Sequence, residues 1–209
     1  MSSVVATRMD ADRTNAAFVF QASVKLGVIE SVIVLLFALV SRMLDGVPEL
    51  ALEAVLLLIG LTAVTALPGF WTRARTIEGI AGAAGIGLGA TVVFTLIDAI
   101  LFQHVHLYSH RWLDVGGGSN WWYLPVWWMV GTLVPWLGAW ILANQADKSG
   151  TPSVPTLMIT SLVLAIVVAA VAVVAGFPGA AWGIGTFGVA FLPGLALATL
   201  ISVLGARRT

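Results

Sequence analysis

From Ser149 to Ala206 the chain contains no Asp, Glu, Lys, Arg or His. This stretch of Val, Ala, Leu, Ile and Gly far exceeds the ~20 apolar residues that one helix needs to cross a hydrocarbon core about 30 Å thick. It therefore crosses at least twice. Inside lipid the backbone must satisfy its own hydrogen bonds, which leaves helices or a closed barrel. Barrel strands would read as ~10-residue alternations of polar and apolar residues, whereas these runs are apolar all round. The sequence predicts an all-α, polytopic transmembrane bundle.

Composition extends that reading to the whole chain. Only 10% of residues are charged and 59% are hydrophobic, against roughly a quarter charged in soluble domains. Net charge is zero and the Lys and Arg are scattered, so the basic stripe that nucleic-acid binding needs is missing and no nucleic-acid partner is expected. There is no cysteine, which removes disulfides, thiolate metal sites, iron–sulfur clusters and cysteine catalysis. A metal would have to use His, Asp, Glu or backbone oxygen.

Apolar runs place six spans, at Val24–Met43, Leu50–Phe70, Glu78–Gln103, Trp121–Gln145, Val154–Gly176 and Ala181–Gly205. Turn signals divide them: Asp45-Gly46-Val47-Pro48, Pro68-Gly69, Gly116-Gly117-Gly118-Ser119-Asn120, Lys148-Ser149-Gly150 and Pro178-Gly179. The expected organisation is a polar segment over residues 1–15, one membrane domain over 16–206 and a tail at 207–209. The start carries both signs of charge, and the run after it is interrupted by Gln21, Lys25 and Glu30. That differs from a cleaved signal peptide, so the first span is expected to be retained. With six spans, Arg8, Arg13, Lys25, Arg73, Arg75, Lys148, Arg207 and Arg208 fall on one side and Arg42 and Arg111 on the other. The retention of positive charge inside then puts both termini in the cytoplasm, in an inner (plasma) membrane, with residues 104–120 facing outward.

Small residues suggest how the helices meet, because lipid supplies no hydrophobic drive between them. Ala81, Gly85 and Gly89 recur every four residues along span three, and span six carries Gly183, Gly185, Gly188 and Gly194. Pro193 in span six and Pro135 in span four each remove a backbone donor and invite a kink. Spans two and five both finish near a Pro-Gly pair, and Gly82-Ala83-Ala84-Gly85-Ile86-Gly87 resembles Gly179-Ala180-Ala181-Trp182-Gly183-Ile184-Gly185. A three-plus-three inverted duplication would favour transport; the abundance of Ala and Gly is the competing explanation.

Three groups of residues could carry chemistry. If span three continues as a helix beyond the surface, His106, His110 and Asp114 stack on one face at spacings of four. Such a set could hold zinc or copper, completed by His104 if the helix ends there, or by another chain. The alternative is an interfacial segment in which Arg111 pairs with Asp114. Trp128, Trp136 and Trp140 lie along one face of span four, suited to packing or to a quinone or pigment, and Trp121, Trp122, Tyr123, Trp127 and Trp128 read as an aromatic belt. Among the carboxylates, Glu53 lies near a span end. Glu30, about two turns inside the first span, and Asp98, over a turn inside the third, are the candidates for a proton or ion pathway.

No Gly-x-Ser-x-Gly elbow, His-Glu-x-x-His helix or phosphate-binding glycine loop is present. A non-enzymatic protein is expected, either a transporter of a small solute or ion, or a membrane subunit that docks through its small-residue ridges onto other subunits or a second copy of itself. The other reading is a metal or redox protein with an outward His/Asp site.

Overall fold

A computed structural model describes residues 12–108 and 123–206. The described residues form helices throughout: α1 (Ala16–Met43), α2 (Val47–Thr72), α3 (Ile77–Ile97, continued by one π-helical turn, Asp98–Phe102), α4 (Tyr123–Ser149), α5 (Val154–Val174) and α6 (Ile184–Ala206). Six helices long and apolar enough to span a membrane are present, as the composition requires.

The boundaries move for identifiable reasons. α1 starts at Ala16, eight residues before the expected Val24, because Asn15 caps it by accepting a 2.8 Å bond from the Phe18 N–H. Lys25 is accommodated inside the span with its ammonium 5.0 Å from the centre of the Trp71 ring. Pro68-Gly69 does not end α2 but lies within it. Gly69 is needed there for packing: a Cβ would stand 2.9 Å from the Cα of Ala139. Pro135 and Pro193 also lie inside helices that run on without interruption. The expected breaks in spans four and six are absent.

Glycine pairs fix the register. Val19 faces Gly85, Ser23 faces Gly89, and Gly27 faces Ala90 and Val93. Residue numbers climb together on the two helices, so α1 and α3 run parallel. Gly87 meets Pro135 and Thr91 meets Gly131, so α3 and α4 are antiparallel; Thr65 meets Gly138 while Gly69 meets Leu142, so α2 and α4 are parallel. In the small-residue ridge of α3, Gly85 and Gly89 do face a neighbour, whereas Ala81 is exposed. Gly183, Gly185 and Gly188 face open space, whereas Gly194 of α6 makes a close approach to the backbone of Ala165 on α5.

Helices α1 to α4 make one body. α5 packs mainly on α6, and α6 joins α4, around Val134, Ile141, Leu157, Phe191 and Leu195. The halves are therefore not alike: the first packs its first and third helices most closely, the second its second and third. Gly82–Gly87 is buried or partly buried along much of its helical length, while Gly179–Gly183 belongs to the turn before α6. The resemblance between those segments reflects composition, not a shared packing role.

Identical substitutions should have opposite signs at two glycines. Gly138→Ala drives a Cβ to 2.0 Å from the Thr65 carbonyl oxygen and is expected to cost roughly 1–3 kcal/mol. Gly188→Ala meets nothing within 4 Å and should be neutral or gain up to about 1 kcal/mol from helix propensity. Thermal unfolding in detergent measures both.

Candidate functional site

The acids whose surroundings are described lie at the start of α3, toward its end, and at the middle of α1. At the end holding the start of α1, the Asp12 carboxylate receives backbone N–H bonds from Arg75 (3.0 Å), Thr76 (2.9 Å) and Gly79 (3.0 Å), and the Thr76 hydroxyl at 2.5 Å. A carboxylate from before α1 thus caps α3, satisfying donors that a helix start leaves open. Nearby, the Arg13 N–H donates to the Thr72 carbonyl at 2.8 Å, and the Arg75 guanidinium reaches the Gly150 carbonyl at 3.4 Å. Sequence reasoning missed Asp12; the signal available was the Thr76-x-Glu78 start of α3, which lacks a side-chain cap of its own.

Toward the end of α3, Asp98 opens the π-helical turn. Gln103 Nε2 donates to its Oδ2 at 3.1 Å and the Tyr108 hydroxyl donates to its Oδ1. The Leu107 N–H returns to the Phe102 carbonyl at 2.9 Å, and Leu107 and Phe102 are buried against Ala38 of α1, with Tyr108 packed on them. Asp98 is therefore a tie between the end of α3 and the chain that follows it.

This geometry changes the histidine reading. The helix stops at Phe102, and His106 adopts a positive φ of 51° in a turn, so the continuous helix that would stack His106 with His110 and Asp114 does not form. His104 and His106 are both exposed. Among the described residues no three His, Asp or Glu side chains gather in a way that could hold a metal ion; His110 and Asp114 lie outside the described residues. In the tryptophan stripe, Trp136 and Trp140 meet edge to face at 5.3 Å and 65° and pack against Ala74, Ile80, Ala83, Ala139 and Ala143, whereas Trp128 is exposed.

Glu30 is the interior group. With α1 starting at Ala16 and ending at Met43, it stands at the middle of the span, not two turns from its edge. Its neighbours one turn away set its direction. Leu26 is buried with Ile86, Leu67 and Trp71; Gly27 faces Ala90 and Val93; Ile33 lies against Gly60; and Val34 packs in the cluster that includes Phe94 and Ile97. Glu30 shares their face, and so points into the seam between α1, α2 and α3. It is half-buried and makes no hydrogen bond or ion pair among the described residues. Lys25 does not compensate it, since five helical residues turn the two side chains about 140° apart.

Six apolar helices make this a multi-pass membrane protein, and among the described residues Glu30 is an acid at mid-span without a partner. Comparison of the chain with known protein families, with curated proteins and with solved structures finds no match.

Burial first, and then the bond to Asp98, hold the Tyr108 phenol well above its ordinary range. The folded chain keeps this proton at alkaline pH where unfolded tyrosine loses it. Its contribution is complete below about pH 10 and declines as pH rises further. Tyr108→Phe is expected to lower stability at neutral pH by roughly 1–3 kcal/mol, by leaving Asp98 short of a donor. It should also flatten the alkaline decline, and unfolding followed from neutral pH to about pH 11 reads both effects.

Proposed function

We propose that the protein is a non-enzymatic transporter that moves a small ion or solute across a membrane, with the seam between α1, α2 and α3 as the route and Glu30 as its ionisable site. The observation that carries this reading is an acidic side chain at the centre of a span with no partner among the described residues. A charge at that depth costs roughly 2.5–3.5 kcal/mol on insertion scales, and such groups mark pathways more than they stabilise structure. Asp98, at a similar depth on α3, is closed by Tyr108 and Gln103. It takes part when that tie opens.

A membrane-subunit reading has its own support. The halves pack differently, unlike an inverted-repeat carrier, and α5 turns Ile159, Val163, Ile166 and Val171 outward. In this reading lipid or a partner subunit covers that face.

The two readings separate in proteoliposomes. Under an imposed membrane potential, purified wild-type protein should carry flux of a proton, sodium or potassium ion, and Glu30→Gln should lower that flux by roughly tenfold or more. Flux absent from both would leave the subunit reading. Orientation follows from the positive-inside count, with both termini cytoplasmic. Because the chain has no cysteine, a single Cys introduced at exposed Gly150 is expected to react with an impermeant maleimide only after cells are opened.

A further inference from the structure

We infer that the species bound at Glu30 is a proton, not a metal cation. The inference rests on the transport reading and names its ion.

A hard cation needs several oxygen ligands converging on one point; magnesium takes six and calcium six to eight. The seam offers one carboxyl group. On α1 the residues a turn away are Leu26, Gly27, Ile33 and Val34. The register set by Leu26 against Leu67 and Ile33 against Gly60 brings Ala63 of α2 to the level of Glu30. α3 presents Ala90, Val93 and Phe94. Of the hydroxyls near this level, Ser31 and Thr62 are folded back onto the Gly27 and Leu58 carbonyls of their own helices, each at 2.7 Å, and Thr65, whose buried Oγ1 has no partner among the described residues, packs against Gly138 of α4. Such a wall accepts a neutral carboxylic acid at far lower cost than a carboxylate, and one oxygen suffices to hold a proton.

Charged groups on the elements packed against this position are distant or engaged. Lys25, on α1 itself, lies over Trp71. On α2, Glu53 and Arg73 are each about ten residues from the level of Glu30, some 15 Å along the axis. On α3, Glu78 lies at the far end; Asp98 is within about one turn of the level of Glu30, but on the row of Gly87 and Thr91 that faces α4, and it is held by Gln103 and Tyr108.

An apolar carbodiimide tests the assignment, because only the acid form begins the reaction. The carboxyl proton passes to a carbodiimide nitrogen as the carboxyl oxygen adds to the central carbon. The resulting O-acylisourea rearranges to a stable N-acylurea that retains the whole reagent. The full chain in mild detergent, treated with dicyclohexylcarbodiimide and mapped by peptide mass spectrometry, should carry one adduct at Glu30. Labelling should fall as pH rises, stay unchanged when sodium, potassium or calcium chloride is added at fixed pH, and vanish in Glu30→Gln. Protection by any of these cations, or an unlabelled Glu30, would overturn the inference. The wild-type pH and salt profiles decide this even if the variant fails to fold. Labelling requires no flux, so an adduct at Glu30 in a protein that moves nothing would keep the proton assignment and sink the transport reading.

Discussion

Helices immersed in lipid gain nothing by hiding apolar side chains from one another, so this fold depends on how closely backbones can approach. The tightest approaches are at glycines. A Cβ at Gly87 would stand 2.2 Å from the Gly131 carbonyl, one at Gly138 2.0 Å from that of Thr65, and one at Gly27 2.7 Å from that of Ala90. These three meetings place α3 between α1 and α4 and hold α2 against α4. The position of Glu30 is a by-product of the third. Because Gly27 brings α1 against α3, the residue three places on is carried into the seam instead of out to lipid.

Polar groups follow from the same absence of solvent. Ser23, Ser31, Thr91, Thr95, Ser161 and Thr199 each donate to the carbonyl four residues earlier on their own helix. Their hydroxyls are thereby satisfied without a neighbour. Asn144 does reach across, donating to the Ser202 hydroxyl at 2.8 Å and tying α6 to α4. Asp12 and Asp98, the acids with the most described partners, secure chain segments at the start of α3 and toward its end. Glu30 has neither a back-bond nor a cross-helix partner among the described residues; the Thr65 hydroxyl of α2 is likewise unpartnered, but it carries no charge.

The sequence made the class and the number of spans legible, because the missing charge from Ser149 onward and the apolar runs before it are properties of local composition. Partner-dependent features were not legible. Pro68-Gly69 reads as a stop, yet α2 passes through it because Gly69 is the surface on which Ala139 packs. The glycines of span six look like a ridge, but Gly194 meets a neighbour while Gly183, Gly185 and Gly188 do not; which glycines pack depends on which helix lies opposite, and local sequence does not carry that. Glu30 and Asp98 were both readable as intramembrane acids. What separates them is Tyr108 and Gln103 closing on one and nothing described closing on the other. The histidine stack failed on a local event, the π-helical turn at Asp98–Phe102, which ends α3 before His104.

The walls of the seam differ in tightness, and the difference bears on how a proton could reach its centre. A Cβ on Gly27 of α1 would stand 2.7 Å from the Ala90 carbonyl of α3 and one on Gly89 of α3 2.4 Å from the Ser23 hydroxyl of α1, whereas a Cβ on Gly60 of α2 would meet Ile33 of α1 at an ordinary 3.5 Å. α2 and α3 are each pinned to α4 by still closer contacts at Gly138 and Gly87. Parting α2 from α3 would disturb α4 and, through Asn144 and Ser202, α6. Parting α1 from α2 separates Ile33 from Gly60 and Lys25 from the Trp71 ring, but no glycine contact between them is tighter than ordinary van der Waals packing. The boundary of least resistance in the first four helices thus borders the seam that holds Glu30, and the charge-free α5–α6 hairpin, joined to α4 on the far side, braces the helices that stay in place.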